Sequence, residues 1–269
     1  MSHWGSVTVL LSLALSAPLV GVRPQNPAAP STGNPTSANP QPILIELFTS
    51  EGCSSCPLAD VLLQRLDDHQ PIAGAQLIVL SEHVNYWDHD GWKDPNSSQA
   101  LTDRQAAYEI QLGEKDSYTP QFVVDGTHEF QLDHIAQMED VFNKAKDELR
   151  IRVRISDVKL DPSDPTTLRA HIETDANQIH NADVYVAVAL NHVESQVLKG
   201  ENGGKHLVHV AVVEELTKIG KLPKGKTFAE NVQLKVKPGT DPANLRIVAY
   251  VQESGPGMVL GAAMRKPAN

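Results

Sequence analysis

Two sulfurs carry the most distinctive chemistry available to this chain. Its only cysteines stand three apart in Cys53-Ser54-Ser55-Cys56. Small scaffolds stapled by disulfides use several distant cysteines, and closing so short a loop removes little chain entropy. The spacing suits a dithiol that cycles with its disulfide. An apolar run, Ile43-Leu44-Ile45-Glu46-Leu47-Phe48, precedes the pair as a buried strand. Pro57 follows it and fits a first helical turn, where a missing N–H has no partner to lose. A thiol at such a helix start meets outward N–H groups and the positive dipole end, which favour thiolate. Cys53 is thereby expected to be the exposed, attacking sulfur. Cys56, one turn further in, is expected to resolve a mixed disulfide.

The same atoms admit a second chemistry. A soft metal such as copper could be held by Cys53, Cys56 and His83, making the chain a metal-binding or metallochaperone protein. A structural zinc site wants four ligands, and no second C-x-x-C exists. A third reading makes the chain a non-catalytic partner-binding module in which the cysteines are secondary.

The elements that must position these groups alternate. After the first strand, Ala59 to Leu66 has helical spacing, Gln76 to Ser81 reads as a second buried strand, Ser98 to Leu112 as a helix closed by Gly113, Gln121 to Val124 as a third strand, and Leu132 to Leu149 as a helix. Strand–helix alternation implies βαβ units. Parallel strands share an edge, so Ser81 to His83 should end near the cysteines. The loop that follows, His83 to His89, could bring Trp87 to a substrate groove or fold it down as packing. His83 could stabilise the thiolate, bind a metal or hydrogen-bond the loop. Thr119-Pro120 enters the third strand either as a trans turn or with a cis bond facing the cysteines, where it would bind a substrate backbone.

Beyond residue 150 the pattern changes to alternation, as in Ile151-Arg152-Val153-Arg154-Ile155 and Val184 to Leu190, with Gly- and Pro-bearing turns between runs. This predicts a mainly antiparallel β-sandwich. His206 and His209 are an odd number apart on one such run and should face opposite sides of a sheet, so they read as surface or hydrogen-bonded residues.

Glu46-Leu47-Phe48-Thr49-Ser50-Glu51-Gly52-Cys53-Ser54-Ser55-Cys56-Pro57, His83-Val84-Asn85-Tyr86-Trp87-Asp88, Gly91-Trp92-Lys93-Asp94, Tyr118-Thr119-Pro120-Gln121, Gly200-Glu201-Asn202-Gly203-Gly204 and Leu207-Val208-His209 together resemble a secreted, thioredoxin-like family catalogued as domain of unknown function 1223. The resemblance runs from about Ile43 to the end. It implies an α/β thioredoxin-like domain over 43–150, followed by the β-sandwich domain over 151–269. It also implies Cys53 as nucleophile, Cys56 as resolving thiol and Pro120 as a cis proline. Glu46 is the nearest match to the buried carboxylate of thioredoxins. It either faces Cys56 and exchanges a proton with it, or points to solvent or a salt bridge.

The rest of the composition sets the compartment. Residues 1–22 read as a secretory leader, with an apolar, small-residue stretch from Val7 to Val22. Residues 23–42 form a Pro-rich linker expected to be disordered. The chain is therefore expected to be periplasmic or secreted, touching a membrane only through an uncleaved leader. Thirty-three acidic against 23 basic residues leave a formal charge of −10, which disfavours nucleic acid. The expected partner is a thiol- or disulfide-bearing protein or small molecule, with no cofactor.

Overall fold

A computed structural model describes Met1 and residues 40–267, apart from 90 and 149. One compact unit spans Asn39–Asn269, and every element below lies in it. The expected leader and nearly all of the expected linker fall outside the described residues. The linker's last two positions, Gln41 and Pro42, instead open the first strand.

Strand β1 (Gln41–Thr49) is buried along nearly its whole length, as its apolar run requires. Helix α1 (Cys56–His69) buries Cys56, Ala59, Asp60, Leu63 and Leu66, one stripe at three- and four-residue spacing. It stops where Gln70 turns left-handed and its side-chain amide binds the carbonyls of Leu66 and Leu77. Strand β2 (Ala75–His83) pairs in parallel with β1, from Gln41↔Ala75 to Thr49↔His83. Helix α2 (Gln99–Leu112) is capped by the Ser98 hydroxyl, which accepts from Leu101 N–H, and ends at Gly113. Strands β3 (Gln121–Val124) and β4 (His128–Phe130) form a hairpin on the other side of β1, and helix α3 (Ile135–Asp147) follows.

The remaining elements are strands: β5 (Val153–Asp161), β6 (Asp164–Thr174), β7 (Ala182–Gln196), β8 (His206–Leu222), β9 (Phe228–Lys235), β10 (Leu245–Glu253) and β11 (Val259–Arg265). Their arrangement corrects the expected architecture. Strand β8 joins the free edge of β2, with Ser81 opposite Val212, so one mixed sheet runs β11-β10-β7-β8-β2-β1-β3-β4. No α/β thioredoxin-like domain stands apart from a following sandwich. The physical reason lies in β2, which is buried at every position but Gln76. Its outer backbone groups need a partner, and the long β8 supplies one at Ser81. A separate three-stranded sheet, β5-β6-β9, covers one face of β7 and β10, enclosing Val184, Val186, Val188 and Ile247.

Helices α1 and α3 cover one face of β1, where Ile43, Ile45 and Leu47 pack. Helix α2 covers the opposite face, beside Phe48. Among the described residues no helix is long and apolar enough to cross a membrane.

Candidate functional site

Cys53 and Cys56 are bonded to each other, 2.05 Å between sulfurs, where α1 begins. Position 55 caps that helix without a side-chain hydrogen bond to it. The Ser55 hydroxyl reaches instead to the Thr119 carbonyl at 3.5 Å and lies 3.4 Å from Cys53 Sγ. Ser54 and Ser55 are exposed, yet both cysteines are fully buried. The expectation of an exposed Cys53 is thus corrected.

The cover comes from two sides. Gly52 packs under Trp87; a Cβ at position 52 would lie 3.0 Å from Trp87 Cβ. Trp87 is half-buried and its indole N–H donates to Thr119 Oγ1 at 2.8 Å. The Thr119–Pro120 bond is cis. Trp87, Thr119 and Pro120 therefore gather beside the disulfide. From the other side comes the loop between β7 and β8. Asn202, fully buried, donates to the carbonyls of Glu51 (2.8 Å) and Cys53 (2.9 Å). Glu201 accepts from the Ser54 backbone N–H at 3.1 Å.

His83 and Glu46 each take the last of the roles expected for them, a hydrogen bond to the following loop and a salt bridge. His83 is fully buried, and its Nδ1 lies 2.7 Å from Asp94 Oδ2. Burial alone would lower its pKa, but the adjacent Asp94 carboxylate overrides this and the net shift is upward. Asp94 is likewise opposed by burial, but His83 and the N–H groups of Glu51 and Asn96 bring it down to about 2. Glu46 projects to the α2 face, because its neighbours Ile45 and Leu47 take the α1 face and a strand alternates. There it accepts from Arg104 Nε and from Tyr108 Oη, both at 2.6 Å. Glu82 shares that cluster, 3.6 Å from Arg104. Burial, with Glu46 beside it, holds Glu82 well above the usual carboxylate range. Glu46 therefore meets a salt bridge and not Cys56.

Residues 44–252 match the family described as protein of unknown function (DUF1223). The chain belongs to that family. A crystal structure of a protein from Agrobacterium tumefaciens is 25% identical, covers 82% of this chain and 92% of its own, and has a TM-score of 0.63. The DUF1223 chain shares that fold across both of its halves. A domain of the outer membrane lipoprotein Omp28 from Porphyromonas gingivalis aligns over 44% of this chain and 88% of its own, with 12% identity and a TM-score of 0.28. A beta-glucosidase from Kluyveromyces marxianus aligns over 45% and 15%, with 14% identity and a TM-score of 0.24. No curated protein matches the chain.

Several residues of this DUF1223 chain enter the site without having been singled out for it. Thr49 Oγ1 donates to Asp60 on α1, which lies four residues beyond Cys56 on one helix face. Glu51 accepts from Trp92 Nε1 at 2.8 Å. His209 stands between these carboxylates, 3.7 Å from Glu51 and 3.5 Å from Asp60. The parity of His206 and His209 does separate them across the sheet, but His209 goes to the interior and His206 to the surface. Alternation shows that two residues oppose each other; it does not show which side a third element covers. Among the described residues, no three His, Cys, Asp or Glu side chains converge as a metal site.

Proposed function

We propose that the chain is an exported thiol–disulfide exchange protein acting through Cys53 and Cys56 on thiol- or disulfide-bearing polypeptides or small molecules. One observation carries this reading: the chain's only two cysteines are bonded to each other at the leading end of a helix. A ring this small adds little to stability through chain entropy, so a structural staple explains it poorly. A leaving thiolate at a helix start is favoured by the N–H groups there.

A partner thiolate attacks Cys53 Sγ, the Cys53–Cys56 bond breaks, and Cys56 leaves as a thiolate that takes a proton from solvent. In the reverse direction the Cys56 thiolate attacks the mixed disulfide and releases the partner as its thiolate. The bonded state of the cysteines also favours a periplasmic or secreted setting, since reducing compartments keep thiols free. Both sulfurs are enclosed in the oxidised form, so exchange needs a local opening.

The test uses Cys56→Ser in the full chain, reduced and then offered oxidised glutathione or a disulfide-bearing peptide. Intact-mass analysis should find a mixed disulfide on Cys53 that the unsubstituted protein does not retain. Failure of either probe to form an adduct, in a variant that remains folded, removes the exchange reading.

A further inference from the structure

We infer that Glu201 and Asn202 form a latch over the disulfide, and that Cys53 becomes open to attack only when the β7–β8 loop lifts. The inference rests on the exchange reading above and names how that site is regulated.

The loop's interior arrangement is the first observation. Its neighbours Glu201, Gly203, Gly204 and Lys205 are exposed, but Asn202 is fully buried. A polar side chain buried at a loop tip must find hydrogen-bond partners. Asn202 donates to the Glu51 and Cys53 carbonyls, and its own oxygen accepts from Lys205 Nζ at 2.8 Å. Its amide thus fastens the two carbonyls that flank Gly52. A backbone partner binding alongside Cys53 would need the same acceptors.

Glu201 supplies the second. The start of α1 has no side-chain cap of its own. The Glu201 carboxylate accepts from Ser54 N–H, in the turn just before that start. The positive dipole end there favours the charge of an incoming thiolate. The carboxylate fills that position from within the chain and repels a second anion there.

The loop is also built to move as a unit. Val197 is fully buried and anchors it. Val197 and Lys205 bond across its base at 3.0 Å, and Gly204 N–H donates to Val197 O at 2.8 Å. Gly203 N–H closes a turn onto Gly200 O at 3.0 Å, and Gly200 adopts a φ of 75° that glycine accepts without strain. These bonds hold the loop to itself and survive lifting. Three others tie it to the cysteine segment: two from Asn202 and one to Glu201. Glu201 is exposed, so water competes for its bond.

The experiment follows reduction of the oxidised full-length protein by dithiothreitol under native conditions, with thermal melts recorded in parallel. Asn202→Ala should reduce about tenfold faster or more, and Glu201→Ala several-fold faster, from the bonds each removes. The Glu201 variant decides the matter if the Asn202 variant folds poorly, because that side chain is exposed. The gain should persist at denaturant concentrations too low to unfold the protein, which separates lifting of a loop from global unfolding. Equal rates in wild type and both variants overturn the latch, even if Cys56→Ser forms adducts. Faster reduction in the variants without any adduct from Cys56→Ser leaves the latch standing and removes the exchange reading.

Discussion

The imidazoles of His83 and His209 meet edge to face in the interior, 4.8 Å between ring centres and 81° between planes. Three buried carboxylates surround them: Asp94 on His83, and Glu51 and Asp60 on either side of His209. Glu51 precedes the first cysteine by two residues and Asp60 follows the second by four, so this polar interior and the disulfide share the same short segment.

The His83–Asp94 contact should give stability a defined pH window. The folded pKa of His83 lies above its ordinary value of 6.5, so its contribution is full below that pH and lost as pH rises through the folded value. Asp94 is depressed from 3.8 to about 2, so its contribution is full above about 4 and lost as pH falls toward 2. Urea midpoints of wild type and Asp94→Asn should therefore differ most between pH 4 and 6.5. A difference that does not vary with pH would mean that no such ion pair forms.

Arg104 lies against two buried acidic side chains, Glu46 and Glu82. Arg104→Met should cost about 3–5 kcal/mol at neutral pH by leaving the buried Glu46 without its partner. Chemical denaturation at pH 7 checks the size, and a loss within the error of the midpoint would mean that Glu46 does not depend on this pair.

Glu46 faces α2, on the side of the sheet away from α1. Glu46→Gln should consequently leave the pH profile of disulfide reduction unaltered, whatever it does to stability. A displaced profile in a folded variant would mean that the carboxylate does communicate with Cys56.

Gly52→Ala would place a methyl 3.0 Å from Trp87 Cβ and 3.2 Å from its carbonyl oxygen. Overlap of that kind costs about 1–3 kcal/mol. It should also perturb Trp87 emission, since the indole is pinned to Thr119 on its far side. An unchanged melting temperature would show that the loop over Gly52 shifts freely.

Replacing both cysteines by alanine should lower stability by only about 2 kcal/mol, the chain-entropy value for so short a ring. Asp94→Ala should cost about 3 kcal/mol, since it strands a buried imidazole. Denaturant titrations of the two variants compare them directly. A larger loss from the cysteine pair would make the bond a structural staple.

Much of the local structure was legible in the chain. The strand before Cys53, the helix opened by Pro57, the helix between Ser98 and Gly113 and the strand entered at Pro120 follow from apolar periodicity and from residues with restricted backbones. These are near-neighbour effects, and near neighbours are what a sequence displays. The cysteine spacing is of the same kind: residues three apart at a helix start can bond whatever the rest of the chain does.

Tertiary structure alone decided what lies over and behind the sulfurs. Nothing local tells β2 that its second partner is β8, some 130 residues on, yet that pairing merges two expected domains into one sheet. The same pairing carries His209 to His83 and the Asn202 loop onto Cys53. Strand edges are satisfied by any compatible backbone, so the choice among partners is made by the packing of the whole molecule. A side chain's exposure is decided with it, which is why Cys53 lies covered and Glu46 turns away.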